Sequence, residues 1–517
     1  MTTSTLAAST VPAAETRDAQ LDRMQYCADP LADQTIADIL GPWDKPSENA
    51  MHSHAGHAPA AAGAASVADA SMAAVAAQWQ DQWQKLAAVT SIFPQWPDNQ
   101  SVGAWRAPAG FAPDMAAPLQ AYLQAGQVLP DWADHAMIER AETLFMEYGA
   151  LSVTLLFCSS LPECYVIPDL AAVLHITGQL EQHTEYRIRS TGAMVFPVMM
   201  KGGLLAPDGG GLAQILKVRL IHATIRNLIL RGNPEDSVRA LGANQSTVGA
   251  GVVPPVPGLL GANNMHQALF AHGWKTGEEG LPCNQEELAY TLLTFSYVFL
   301  RSMRKLGLGL PKADEEAYLH TWNVAGHVLG IRRELMADTM DGAAKLFATM
   351  QARGREDRPP NPSLHPDPRP SLGAALMNAM SRVIPFPVAR PFPELMTRYL
   401  CGWASSRDLG LTGPVEAASL CLFLLLMLGV RGIDWLVRQA YPEFSISRFL
   451  TRLLGYQLMT KLMMDQTKPL KLPEHVRSNI DCLVEQWSDD PKAPKWMNTL
   501  EDKLTTQGCW KASAPGK

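Results

Sequence analysis

A single histidine carries the strongest chemical suggestion in this chain. His222 lies in the apolar stretch Gln214–Leu230, QILKVRLIHATIRNLIL. On a helical projection Val218, Ile221, Ile225, Leu228 and Ile229 form one stripe, with His222 at its edge beside Arg219 and Arg226. An imidazole between an apolar face and a cationic edge suits an axial ligand to the iron of a non-covalent haem b. The iron would sit over a dry pocket, and Arg219 and Arg226 would meet the propionates. On spacing alone, a histidine placed this way is more often a core side chain satisfied by a backbone carbonyl. Further candidates are Arg187 and Thr191 in YRIRSTG, four residues apart on one helical face, where they could hydrogen-bond a propionate or a bound oxygen. Glu163, Glu181 and Glu185 are carboxylates available for acid–base work.

Other motifs point away from competing chemistries. His320 and His327 share a helix face, but at roughly 10 Å along the axis they are too far apart to hold one metal directly. HExxH and GxSxG are both absent, which removes the usual zinc-protease and serine-hydrolase signatures. The loop Gly202–Gly211, GGLLAPDGGG, is rich in glycine but has no following GK[ST], so it reads as a connector. The His-bearing tract Met51–His57 has no cysteine or carboxylate neighbours and reads as part of a tail.

The elements that must position these residues are helical. Asp134–Glu147, Leu170–Gln182, Glu185–Met200, Glu286–Leu306 and Glu315–Met340 show helical patterning, and no run of alternating strands appears. Pro197 should kink or end its helix, and Asn284 sits in an N-cap position. The expected class is all-α. Residues 1–75 are expected to be a disordered tail and 76–350 the main helical domain. Residues 351–372 are expected to form a Pro/Arg-rich linker, and 373–517 a helical region packing on the core. The stretch Ala417–Val430, AASLCLFLLLMLGV, falls short of the roughly 20 residues of a spanning helix. It is expected to be a buried core helix, with partial insertion as a peripheral membrane anchor the second reading.

Composition narrows the partners. The chain has 517 residues, enough for a large ligand pocket, with 43 Lys+Arg against 50 Asp+Glu. No long basic run is present, so nucleic acid is excluded as a partner. The eight cysteines are scattered without a CxxC pair, which fits a reducing compartment, and the absence of CxxCH excludes covalent haem by that motif. The first twenty residues carry no evident export signal, so the expected location is cytoplasmic.

Taken in order, LPECY (161–165), RIRST (187–191), the Gly202–Gly211 loop, KVRLIHATIR (217–226), NQEELAYTLLTF (284–295) and WNVAGHVLG (322–330) resemble a known succession. It is similar to that of the latex clearing proteins and the MpaB-type oxygenases, over about residues 115–350 and less closely over 375–465. The resemblance implies a b-type haem in an all-helical, globin-like core with additional helices, which makes residues 76–350 a haem-binding oxygenase-like domain, with His222 as proximal iron ligand and Arg187 and Thr191 near the pocket. It also implies O₂-dependent oxidation or cleavage of C=C bonds in a hydrophobic, isoprenoid-like molecule or polymer, with an electron donor. Two departures matter. Ser190 stands where some members carry a distal lysine, and a serine cannot ligate iron as an amine can. The missing export signal makes a smaller intracellular alkene a better fit than rubber. The alternative reading is a non-catalytic haem- or lipid-binding helical protein, and a cofactor-free scaffold lies behind that.

Overall fold

The computed structural model describes residues 16–41, 77–176, 184–231, 280–356, 367–439, 445–453 and 493–505, apart from single positions 79, 383, 385, 447, 451 and 452. Among these residues the fold is all-α, with no strand. Helix starts follow local chemistry. Asp134 accepts from the N–H groups of Ala136 and Met137 to open His135–Glu147. Asn284 and Glu287 close a reciprocal capping box at the start of Gln285–Phe295. Pro197 lies inside Thr184–Met199, and the helix stops two residues later.

The longest of these core helices is Gly211–Arg231, which carries His222. Ile215, Leu216, Leu220, Ala223 and Ile229 are fully buried, as befits a helix apolar on most sides. It packs against Thr184–Met199, Pro30–Leu40, Lys312–Val328 and the short Asn99–Ala104. The glycine loop before it is a tight backbone knot. A Cβ on Gly203 would meet the Pro197 carbonyl oxygen at 2.2 Å, and one on Gly209 would meet the Gly202 carbonyl oxygen at 2.1 Å. Asn99 fastens the knot, donating to the Gly203 and Ala206 carbonyls and accepting from the Ala213 N–H. The glycines serve close backbone approach, in agreement with the connector reading.

Three expectations change. The tail expected through residue 75 contains two helices, Arg17–Met24 and Pro30–Leu40, whose Leu21, Met24, Ile36 and Ile39 are in the core. The remainder of that stretch, Met51–His57 included, lies outside the described residues. The linker expected over 351–372 is largely structured at its flanks. Arg353 and Arg355 belong to helix Met340–Glu356, and Arg369 opens Arg369–Arg382. These arginines are ion-paired: Arg353 with Glu286 and Asp22, Arg355 with Asp408, Arg369 with Asp367. Finally, Ala417–Val430 is not a buried core helix. It is part of an unbroken helix, Ala417–Val437, with a π-turn at Leu425–Gly429, and most of its surface is exposed. Apolar composition places a residue in a dry environment without saying whether protein supplies it.

The C-terminal helices are joined to the body by polar ties. Lys305 Nζ donates to the Leu400 carbonyl at 2.7 Å, and Tyr399 Oη donates to the Lys305 carbonyl at 2.7 Å. At the opposite end of the chain, Asp29 is almost fully buried against Arg219. Asp29→Asn should therefore lower unfolding stability by about 3–5 kcal/mol, because it leaves the buried guanidinium without its counter-charge. A urea midpoint equal to that of the parent would show that the pair contributes nothing.

Candidate functional site

His222 is half-buried, with its Nδ1 atom buried. Arg219 lies one turn before it and Arg226 one turn after, so all three share a face. Both arginines, however, are turned toward protein groups. Arg219 pairs with Asp29 through Nε and Nη2, the latter at 2.7 Å, and donates from Nη1 to the Val328 carbonyl at 2.9 Å. Arg226 pairs with Asp33 and donates to the carbonyls of Pro282 at 3.0 Å and Cys283 at 2.7 Å. The expectation that they meet propionates is thus corrected. Burial works against the charge on Arg219, and the Asp29 carboxylate more than offsets it, raising its pKa.

The same knot gathers the motifs. Gly330, which ends WNVAGHVLG, has φ +92, and a Cβ there would meet Asp29 Oδ2 at 2.6 Å and Arg219 Nε at 2.9 Å. Only glycine leaves room for the ion pair in that backbone conformation. Gln285 donates to the Gly330 and Ala28 carbonyls and accepts from the Arg332 N–H. Segments 28–33, 219–226, 282–285 and 328–332 therefore meet around two ion pairs on the His222 helix, Arg219–Asp29 buried and Arg226–Asp33 with its carboxylate half-buried.

Thr191 is half-buried on Thr184–Met199, which packs back along the His222 helix through the glycine knot. Ser190 is half-buried beside it. The side chains of Arg187 and Glu185, and all of Glu181, lie outside the described residues.

Glu163 is fully buried and committed elsewhere. Oε1 accepts from Arg301 at 2.7 Å, and Oε2 accepts from Gln351 at 2.8 Å and Ser405 at 2.9 Å. Its carbonyl accepts from Tyr290 Oη at 2.9 Å. A carboxylate with both oxygens occupied and an arginine against it is a tether, which corrects the acid–base expectation for Glu163. His320 and His327 are likewise structural. Trp132 packs edge-on to both rings, and His320 Nε2 accepts from the Asp134 N–H at 2.8 Å.

Sequence reasoning passed over several residues of this region. Lys217, buried on the His222 helix, has its pKa lowered to about 8 by burial. A lysine inside an otherwise apolar run was the available signal. Glu287, also buried, is pushed up to about 8, by burial first and then by the Asp169 carboxylate. Asp29 and Asp33 flank an Asp–Pro helix start, itself a legible N-terminal signature.

Comparison with known proteins follows this geometry. Residues 262–432 match the family described as ER-bound oxygenase mpaB/B'/Rubber oxygenase, catalytic domain. Over these residues, about a third of its length, the chain is similar to that catalytic domain. The match takes in the Gln285–Phe295 and Lys312–Val328 helices, while His222 lies before it. A rubber oxygenase from Streptomyces sp. (strain K30) is 23% identical over 337 residues, which is 65% of this chain and 63% of the relative. The alignment thus spans less than two thirds of that protein. A solved structure, the latex clearing protein LCP in the closed state, covers 90% of each chain at a TM-score of 0.52 and 17% identity, so the two share a fold.

Glu287 offers a pH test. Its folded-state pKa near 8 exceeds the ordinary glutamate value of about 4.3, so the folded chain retains a proton that the unfolded chain releases. The resulting stability is complete below about pH 4.3 and is lost as pH rises through about 8. Glu287→Gln should flatten the fall in Tm between pH 5 and 8 and raise stability at pH 8 by about 1–3 kcal/mol. An undiminished pH slope in the variant would place the titration on another group.

Proposed function

We propose that this chain is a haem b-dependent oxygenase that uses O₂ to oxidise or cleave C=C bonds of a hydrophobic, isoprenoid-like substrate. The observation that carries the reading is His222, an imidazole that shares the half-buried side of a largely buried helix with Val218 and Ile221. Among the described residues, no three His, Cys, Asp or Glu side chains gather as a protein-built metal site requires. A lone imidazole suits a porphyrin, which brings its own equatorial ligands. The fit therefore rests on the donor set, and the similarity to a protein named rubber oxygenase supports the same chemistry.

When bound, the haem would supply the iron that activates O₂. This chain's residues have narrower tasks. His222 would offer a ring nitrogen, and Arg219 and Arg226 hold its helix in place through Asp29 and Asp33. Thr191 supplies a hydroxyl on the helix packed against that of His222, which would hydrogen-bond the cofactor or the bound oxygen, with Arg187 on the same helix sharing that task. The apolar wall of Ile225 and Leu228 would exclude water from an uncharged substrate that only shape and burial can hold. Reducing equivalents would come from a separate donor, and a cytoplasmic setting would favour a small alkene over a polymer.

Absorption spectra of the purified protein, oxidised, dithionite-reduced and CO-treated, test the cofactor. O₂ uptake with an isoprenoid alkene, with trapping of carbonyl products, tests the reaction. His222→Ala should lose the Soret band altogether. Thr191→Val should keep it and lose turnover on the order of tenfold or more. A colourless protein after haem reconstitution, or a full Soret band in His222→Ala, would end the proposal. Haem binding without O₂ uptake would leave a binding protein.

A further inference from the structure

The helix Ala417–Val437 has no role in the site described above. It is 21 residues long with a mean hydropathy of 2.1, and only 11% of its most apolar window is buried. One stripe faces the body: Ser419 and Phe423 are buried, Met427 is partly buried, and Asp434 is buried further on. Phe423 packs edge-on against Phe392 at 5.6 Å. The opposite face presents Leu420, Leu424, Leu425 and Leu428, with Trp435 and Leu436 beyond; Leu425 and Leu428 are 67% and 68% exposed. The turn Pro387–Ala389 lies beside the helix and adds the exposed Phe386.

We propose that this face is a lipid-docking surface, on which the helix lies in the plane of a bilayer with its leucine row in the acyl region. Three observations favour lipid. No charged side chain occurs from Ala417 to Val430, so the outer row has nothing polar to fix register against a protein partner, and a bilayer needs none. An exposed cation, Arg390 beside the flanking turn, stands where anionic headgroups would meet it; Glu416 at the N-terminal end is the opposing charge. An exposed tryptophan, Trp435, follows the leucine row, the amphipathic ring expected at headgroup depth.

The attachments of the helix decide between lying in the membrane and crossing it. Arg431 Nη1 donates to Tyr399 Oη, and Asp434 accepts from Ser445 Oγ at 3.1 Å and the Ile446 N–H at 2.6 Å. The supporting helix Phe392–Cys401 carries the Glu394–Arg398 ion pair. A crossing orientation would carry these groups into hydrocarbon, whereas an in-plane helix leaves them on the watery side and immerses the outer row by about 5–10 Å. The inference is independent of the oxygenase reading, since none of its residues is part of the His222 region.

Co-sedimentation of the full chain with phosphatidylcholine vesicles, and with vesicles containing phosphatidylserine as well, is the test. The parent should sediment with both, several-fold more with the anionic mixture. The triple variant Leu424→Glu/Leu425→Glu/Leu428→Glu alters only solvent-facing positions, so it should keep the parent's Tm while binding drops at least tenfold. Arg390→Glu should remove the preference for anionic vesicles. The proposal is overturned if the parent stays in the supernatant with both vesicle types, or if the triple variant binds as the parent does. It is also overturned if the parent forms a concentration-dependent dimer that vesicles do not dissociate, since the face would then belong to a second copy.

Discussion

A helix buried on nearly every side cannot carry two guanidinium groups without counter-charges, and the Gly211–Arg231 helix carries both Arg219 and Arg226. The molecule meets this constraint by bringing Asp29 and Asp33 from the N-terminal helix Pro30–Leu40. Much of the surrounding geometry follows. Gly330 must lack a side chain beside the first pair, Gln285 joins the strands of backbone around it, and the carbonyls of Pro282 and Cys283 absorb the remaining donors of Arg226. Such pairs specify arrangement more than they add net stability, because desolvating four charged groups offsets much of their attraction. What they fix is the rotation and depth of the helix that presents His222.

A second polar knot does similar work at the other end of the body. Glu163 joins Arg301, Gln351 and Ser405, and Arg355 reaches Asp408 and Ser405 from the same side. These contacts bind Trp403–Asp408 to helices that precede it by dozens of residues or more. The C-terminal segment up to residue 411 thus shares the core, with Leu372, Leu376, Leu400 and Leu409 fully buried.

Local rules made much of the helical framework legible. The cap at Asn284, the stop after Pro197 and the connector role of Gly202–Gly211 follow from short-range chemistry, and the structure agrees with each. The destinations of charged side chains did not. Arg219 and Arg226 share the face of His222, yet their carboxylate partners are nearly two hundred residues away, beyond the reach of any helical projection. The N-terminal helices were missed because Arg17–Met24 is short and polar, and its two core residues say little without the surface they bury against. For the leucine-rich helix, hydropathy reported a preference for dry surroundings, and only tertiary placement shows that protein covers one stripe of it. Glu163 looked like a reactive carboxylate because sequence gives residue type without neighbours.

The Asp29–Arg219 contact joins positions 190 residues apart. A ribosome releases Asp29 long before it has made Arg219, so Pro30–Leu40 can pack on Pro113–Gly126 first and must wait for the later helix before its apolar face is fully covered. Closure of so long a loop comes late and slows assembly relative to the local helices. Docking of the N-terminal segment on the His222 helix therefore follows formation of the local helices. Until then, the nascent molecule depends on chaperones or on speed to keep that apolar face from other chains.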